Sequence, residues 1–282
     1  MNGVCENTKT FGESTRKMTI RDVMLTEFAT FKDFEKEIRR IISVADERKV
    51  PLRILGGAAI RMHCPKYEYL YDQLKRVPKH DMDFVTYAKF RPLTRKLFVD
   101  LGYEPYVTMM MTGATGRHRQ IFNDKEGNKA IDVFLGKLEM CHVIDYANRL
   151  ELDSPTVPLA DLLLQKLQIV QTNEKDIQDT TILLREHDLG SSDNEMINSD
   201  YVAKLLSNEW GFYYTVTQNL PKIKEFMNKY PLTDEDKKVV SERIDKLSST
   251  IESAPKTFQW KLRAKVGPAK KWYNFVEEVE RD

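Results

Sequence analysis

Two stretches decide the fold, Leu55-Gly56-Gly57-Ala58-Ala59-Ile60-Arg61 and His80-Asp81-Met82-Asp83-Phe84-Val85-Thr86. The apolar run 50–55 predicts a short strand before the glycines, and residues 58–64 predict the opening of a helix after them. The glycine pair therefore stands at a helix N-terminus, where unpaired N–H groups and the helix dipole favour a phosphate chain. Because a Gly-Gly turn between strand and helix is common, this signal is weak by itself.

Three aspartates sharpen the interpretation. Asp81 and Asp83 open the predicted strand 82–86 and, being two positions apart, share one of its faces. Asp132 lies in a second strand-like run, 129–135. If the strands are neighbours, each carboxylate pair repels by about 2–3 kcal/mol at an effective dielectric near 20. A bound Mg²⁺ or Mn²⁺ removes that cost, so we predict that all three aspartates are catalytic metal ligands. The plainer alternative is that Asp81 caps a turn and Asp132 is a solvated strand residue.

This arrangement of glycines and aspartates resembles the nucleotidyltransferase superfamily, which has the fold of DNA polymerase β. Gly56-Gly57 followed by Arg61, and the segment 76–84, are more narrowly similar to the AbiEii/MenT-type bacterial nucleotidyltransferases. The commoner lead-in Arg-x-Thr-x-Asp is replaced here by Arg-Val-Pro-Lys-His-Asp. The resemblance covers roughly residues 30–190. It implies that the two glycines bind the phosphates of a nucleoside triphosphate and that Arg61 adds positive charge.

A later motif of the same family is also similar to part of this chain, namely Lys166 followed by Lys175-Asp176-x-x-Asp179. The resemblance implies that Lys166 contacts the nucleotide and that Asp176 or Asp179 holds the lysine in place. A structural alternative stays open, because Asn173 and Asp176 have the spacing of a helix N-cap.

The remaining elements follow from apolar spacing and turn residues. We expect helices over 20–49 and 90–101, and strands over 103–111 and 117–122. The polar turn 123–128 predicts a hairpin that keeps the strand of Asp132 antiparallel within the sheet. The small-residue loop 112–116 is expected to be a plain connection rather than a phosphate site.

Composition limits the class of protein. The chain has 282 residues, of which 41% are hydrophobic and 31% charged, and a formal net charge of +1, as in an ordinary globular protein. Cys5, Cys64 and Cys141 are widely spaced, which fits a reducing compartment and no disulfide framework. Since no apolar run reaches the roughly 18 residues of a membrane span, we predict a cytoplasmic protein with no membrane partner.

The predicted class is α+β, a mixed sheet flanked by helices as in nucleotidyltransferases, followed by a helical C-terminal domain. We expect a flexible tail over 1–17, a nucleotidyltransferase domain over 18–190 and a helical domain over 191–282. The boundary is set by the polar segment 189–194, the best linker candidate.

The segment 256–271 has six basic residues and no acidic one, with Trp260 inside it and Trp272 and Tyr273 directly after it. Basic and aromatic residues in this mixture suit an RNA or single-stranded partner. The favoured interpretation is an amphipathic helix whose lysines face water while its tryptophans pack.

The function that these residues predict is metal-dependent nucleotidyl transfer. The acceptor hydroxyl attacks the α-phosphate of a nucleoside triphosphate and releases pyrophosphate, with Asp132 completing the second metal site. The acceptor is left open among tRNA ends, a protein hydroxyl and a small molecule. The alternatives are a kinase-like phosphotransferase using the same site, and a catalytically silent nucleotide- or RNA-binding component of a toxin–antitoxin pair with a cognate antitoxin.

Overall fold

The computed structural model describes residues 31–77, 81–106, 118–124 and 130–276. The predicted tail, the loop 112–116 and most of the turn 123–128 lie outside the described residues. The helices are α1 Phe31–Glu47, α2 Gly56–His63, α3 Tyr69–Gln73, α4 Arg91–Asp100, α5 Leu159–Leu167, α6 Glu174–Glu186, α7 Ser199–Leu206, α8 Trp210–Met227, α9 Asp234–Ser253 and α10 Phe258–Val266. The strands are β1 Arg53–Leu55, β2 Met82–Thr86, β3 Glu104–Tyr106, β4 Arg119–Asn123, β5 Ala130–Leu135, β6 Lys137–Glu139, β7 Val143–Asp145, β8 Leu189–Gly190 and β9 Ile197–Asn198.

Within the described residues the main sheet has five strands in the order β1-β2-β5-β4-β3. Strand β2 pairs in parallel with β5, and the other three pairings are antiparallel. The register places Asp83 directly opposite Asp132. The strands that carry the predicted metal ligands are therefore neighbours. The predicted antiparallel pairing of β5 is confirmed for β4 and is wrong for β2, because β2 and β5 are joined by a long connection rather than a hairpin and run in parallel.

The two faces of this sheet have different chemistry because alternate side chains point in opposite directions. Phe84 and Phe122 point to a fully buried face, where the ring of Phe98 from α4 lies 6.0 Å from Phe84 and 4.6 Å from Phe122. Asp83 and Asp132 point to the other face. A polar cluster is thereby held on a rigid strand pair whose reverse side is apolar core.

Helix α1 buries one stripe against this core, made of Phe34, Ile38, Ile41, Ile42 and Ala45. These are apolar positions that the three-to-four spacing predicts for an amphipathic helix. The predicted helix is confirmed over Phe31–Glu47, and its expected start near residue 20 lies outside the described residues.

The C-terminal helices pack directly on the sheet-bearing part of the chain. The Asn219 side chain of α8 donates to the carbonyl groups of Leu167 (3.0 Å) and Ile169 (2.8 Å) at the end of α5. A single cluster of buried hydrophobic side chains extends from Phe34 in α1 to Ile251 in α9. The predicted α+β class is confirmed, with a mixed sheet flanked by helices and a helical C-terminal region.

The segment 189–194 is integrated into the fold. Strand β8 pairs in parallel with β9, and the Asp193 carboxylate accepts from the Arg149 guanidinium at 2.8 Å. Arg149 also pairs with the fully buried Asp161 at 2.6 Å. In the part of the chain that the structure describes, no helix has both the length and the apolar character needed to cross a membrane.

Candidate active site

The glycine turn at the junction of β1 and α2 is built for close approach. Gly56 has φ +78°, and a Cβ atom there would lie 3.1 Å from Oδ2 of Asp83. A Cβ atom at Gly57 would lie 2.7 Å from Nη2 of Arg76. The backbone N–H of Gly56 donates to the Gln165 side-chain carbonyl at 2.9 Å. A side chain at Gly56 would crowd Asp83 and one at Gly57 would displace the Arg76 guanidinium. Gln165 engages the N–H that the sequence assigns to a phosphate.

Asp83 is a carboxylic acid with a raised pKa. Its loss of solvation raises the pKa to about 7, and the carboxylates of Asp132 and Asp81 act in the same direction. Arg119 and Lys166 oppose that rise. Because burial and then two neighbouring carboxylates disfavour its ionised form, a cation bound beside the Asp83 carboxylate would stabilise that form.

Asp132 is buried and held by an arginine. Arg119 of β4 donates to it through two nitrogen atoms, Nε to Oδ1 at 3.1 Å and Nη2 to Oδ2 at 2.5 Å. The register explains the contact, because Asp132 stands opposite Ile121 in β4 and Arg119 is two positions along the same face.

The donor chemistry of these carboxylates fits a divalent cation, since they are hard oxygen ligands beside an acid of raised pKa. Among the described residues, however, no three His, Cys, Asp or Glu side chains are arranged as a metal-binding cluster. The Arg119 guanidinium already binds both carboxylate oxygens of Asp132. Asp81 and Asp83 are therefore the better candidates for ligands of a divalent cation. Asp132 could bind the same cation only if Arg119 released one of its two carboxylate oxygens.

A buried charge network lies beside the glycine turn. Lys166 at the end of α5 contacts Asp176 at 3.1 Å and Asp179 at 2.9 Å. Asp179 also accepts from Arg76 at 2.7 and 3.0 Å. Burial alone lowers the pKa of Lys166, but the two carboxylates outweigh it and raise that pKa. Burial likewise opposes ionisation of Asp179, yet Lys166 and Arg76 lower its pKa.

The two interpretations of Asp176 are both represented in the structure. Its backbone N–H donates to the Asn173 side chain at 3.0 Å, which is the predicted N-cap of α6. Its carboxylate meanwhile accepts from Lys166. The same short segment therefore starts a helix and positions a lysine.

Arg61 occupies a different environment. Its guanidinium lies 4.6 Å from the ring centre of Phe31 and 4.6 Å from that of Tyr71, and it pairs with Glu68 at 3.3 Å. Within the described residues it is not among those that line the cavity of the site. The structure thus separates Arg61 from the other predicted site residues.

A cavity of about 430 Å³ brings most of the predicted residues together. Asp179, which contacts Lys166, is not among the described residues that line the cavity. The predicted residues that line the cavity are Gly56, Gly57, Asp81, Asp83, Asp132, Lys166 and Asp176.

Several residues that line the cavity are not identified by reasoning from sequence, among them Arg119, Gln165, Met140 and the C-terminal residues. Arg119 is recoverable once the register of β4 and β5 is known, because it shares a face with Asp132. Gln165 and Met140 carry no sequence signal of their own. The C-terminal residues 273–276 reach the cavity only through tertiary packing, which no local pattern reports.

Comparison with known proteins does not assign the chain to a family. No protein-family model and no curated protein matches the chain. The solution structure of the antibiotic-resistance factor ANT(2'')-Ia is similar at 13% identity and a TM-score of 0.37, over 60% of this chain and 91% of that one. An antigenic nucleotidyltransferase-like protein from Paracoccidioides brasiliensis is similar at 14% identity and a TM-score of 0.35, over 79% and 94%. Similarities at these TM-scores carry no argument about activity.

Proposed function

We propose that the chain is a metal-dependent nucleotidyltransferase that moves a nucleoside monophosphate from a nucleoside triphosphate to an acceptor hydroxyl. One observation carries the proposal. Asp83 and Asp132 stand in register on adjacent parallel strands, and the glycine turn lines the same cavity so near that a Cβ atom at Gly56 would lie 3.1 Å from the Asp83 carboxylate. Carboxylates beside a glycine turn at a helix N-terminus provide the two kinds of group that a metal-bound triphosphate needs.

The triphosphate is bound by the glycine turn and by Lys166, whose ammonium is kept charged by its carboxylate partners. Gln165 exchanges its bond to the Gly56 N–H for solvent when a phosphate oxygen arrives. Mg²⁺ or Mn²⁺ would be held by Asp81 and Asp83, joined by Asp132, and would supply neutralisation of the phosphate charge.

In the proposed step the acceptor hydroxyl oxygen forms a bond to the α-phosphorus. The bond from that phosphorus to the bridging oxygen of the β-phosphate breaks, and pyrophosphate leaves with the bonding electron pair. The hydroxyl proton passes to the Asp132 carboxylate. Most of the rate enhancement comes from in-line positioning and from charge stabilisation on a rigid strand pair.

The direct test uses two labels. The chain is incubated with Mg²⁺, cell lysate as the source of acceptors and either α-labelled or γ-labelled nucleoside triphosphate. We expect the α-label on an acceptor and the γ-label in released pyrophosphate, with both signals lost on chelation by EDTA. The γ-label on the acceptor would instead identify a phosphotransferase. The labelled product also shows whether the acceptor is tRNA, a protein or a small molecule.

Matched variants assign the activity to this site. Asp83→Asn is expected to reduce transfer by at least about 100-fold, because it removes a charged ligand from the cavity. Asp200→Asn, at an exposed position in α7, serves as the control and is expected to keep wild-type transfer. Wild-type transfer by Asp83→Asn would contradict the proposal.

A further inference from the structure

The last described residues of the chain form part of the wall of the candidate active site. Residues 272–276, called the C-terminal strap here, follow α10 and run back to the cavity. Tyr273, Phe275 and Val276 line the same 430 Å³ as Asp83 and Lys166. The strap therefore brings aromatic side chains to a site whose other walls supply the charge.

The strap is anchored at two points. The backbone N–H of Asn274 donates to the carbonyl of Cys141 at 2.9 Å. The indole N–H of Trp272 donates to Thr215 at 3.1 Å, and its ring meets Tyr214 edge-to-face at 5.1 Å. At Gly211 of α8 a Cβ atom would lie 2.4 Å from the carbonyl oxygen of Trp272, so only glycine permits this approach. Tyr273 and Phe275 thus project from a fixed backbone.

The aromatic side chains are only partly covered. Phe275 is 62% exposed although it lines a cavity, and Tyr273 is half-buried against Trp272 at 5.1 Å. Other apolar residues share the cavity wall with them, namely Leu138, Met140, Ile169 and Val170. Partly exposed aromatic rings beside an apolar wall provide a surface on which a flat ligand can pack.

The cavity thus combines two chemistries. Carboxylates, glycine N–H groups and Lys166 suit a metal-bound triphosphate, while the strap and its apolar neighbours suit a flat π-system. A nucleoside triphosphate has both parts, and about 430 Å³ is within the range of nucleotide-sized sites.

We propose that the C-terminal strap is a nucleobase platform on which Tyr273 and Phe275 stack the base of the bound nucleoside triphosphate. This inference rests on the proposed function, because it places the base of the same substrate whose phosphates bind at the glycine turn. Base–aromatic stacking tolerates any base, since every base presents a π-face. The strap accordingly adds affinity for nucleotides over free polyphosphates.

The experiment compares a ligand that has a base with one that has none. Dissociation constants for ATP and for inorganic tripolyphosphate, both with Mg²⁺, are measured calorimetrically on the full chain and on Tyr273→Ala and Phe275→Ala. Each variant is expected to weaken ATP binding by roughly 5- to 150-fold, the range for one lost stack. Tripolyphosphate binding is expected to stay within about twofold of wild type.

Two further variants serve as controls. Phe258→Ala removes an aromatic side chain that is 74% exposed on α10 and lies outside the described cavity wall, so both dissociation constants should be unchanged. Phe275→Trp keeps a stacking ring and should keep ATP affinity. Circular dichroism spectra that match wild type establish that each variant is folded.

The outcomes separate this inference from the proposed function. An unchanged ratio of ATP to tripolyphosphate affinity in both alanine variants overturns the platform and leaves the proposed function standing. Tighter ATP binding by the alanine variants also overturns it, because the two rings would then obstruct the cavity rather than bind the base. If the wild-type chain binds neither ligand, the proposed function fails and the platform fails with it.

Discussion

Asp83 couples the chemistry of the site to the stability of the fold. Its folded pKa of about 7 exceeds the ordinary value of 3.8, mainly through loss of solvation and then through Asp132 and Asp81. Between these two pH values the folded state retains a proton that the unfolded state has lost. The free energy of unfolding therefore decreases as the pH rises from about 4 to 7, and the effect is complete above 7.

Asp83→Asn should therefore stabilise the metal-free protein at pH 8 and change little at pH 4. The expected gain at pH 8 is on the order of 1–2 kcal/mol, because the substitution removes a charge that is poorly solvated and repelled by neighbours. Thermal unfolding at both pH values, with EDTA present, measures the difference. Asp200→Asn should show no such pH-dependent gain, and equal shifts at both pH values for Asp83→Asn would contradict the electrostatic account.

Asp179 contributes more to the stability of the fold than Asp176, because it pairs with both Arg76 and Lys166. Asp179→Asn leaves the buried guanidinium of Arg76 without its carboxylate, and Lys166 keeps only Asp176. We expect a loss of about 3 kcal/mol in the free energy of unfolding. Asp176→Asn, which retains its backbone bond to the Asn173 cap, should cost about 1 kcal/mol. Urea titrations with equal slopes compare the two, and a larger loss for Asp176→Asn would contradict this ranking.

For single residues, the sequence predicts the acidic side chains of the site better than the side chains that contact them. The two-residue spacing of Asp81 and Asp83 and the strand character around Asp132 are local, so the sequence identifies all three as candidates, and all three line the cavity. The contacts from Arg119 and Gln165 depend on register and on helix placement, and these arise from long-range packing. Arg61 follows a family pattern, yet its guanidinium stacks on Tyr71 in this chain.

Among the elements, the junction of β1 and α2 sets the geometry of the site. Its positive φ at Gly56 turns the chain from strand to helix, and the missing Cβ admits the Asp83 carboxylate. A larger side chain here disturbs the backbone and the acid together.

Gly56→Ala should be more destabilising than Gly102→Ala. Both glycines have positive φ, +78° and +94°, so both substitutions incur backbone strain of about 1 kcal/mol. A Cβ atom at Gly102 meets nothing within 4 Å, whereas at Gly56 it presses on Asp83. We expect roughly a further 1 kcal/mol of lost stability and weaker tripolyphosphate binding for Gly56→Ala alone. Equal losses in chemical denaturation would show that only backbone strain acts.

The elements themselves could be predicted where their pattern is local. The apolar stripe of α1 and the hairpin of β4 and β5 follow from spacing and turn residues. The parallel pairing of β2 with β5 joins distant segments, and no local pattern specifies it. The polar segment 189–194 resembles a linker by composition, but β8 pairs with β9 and Asp193 binds Arg149, because buried polar groups there find partners.

For the whole molecule, one continuous hydrophobic cluster predicts cooperative unfolding. The chain has three tryptophans, Trp210, Trp260 and Trp272, and all of them follow residue 190. Their fluorescence reports on the C-terminal helices, while circular dichroism reports on the entire chain. Urea transitions from the two probes should coincide. Separate midpoints would instead support independent domains divided near residue 190.

The hydrogen bond from Asn274 to the Cys141 carbonyl places a cysteine beside the strap, so alkylation of this thiol can report on the strap. The Cys141 thiol lies in the cavity wall and is buried, so an alkylating reagent reaches it only when the residues around it open transiently. In a Cys5→Ser, Cys64→Ser background, the alkylation rate of Cys141 measures how often this opening occurs. Slower labelling with ATP than with tripolyphosphate would show that a base bound on the strap protects the thiol beneath it.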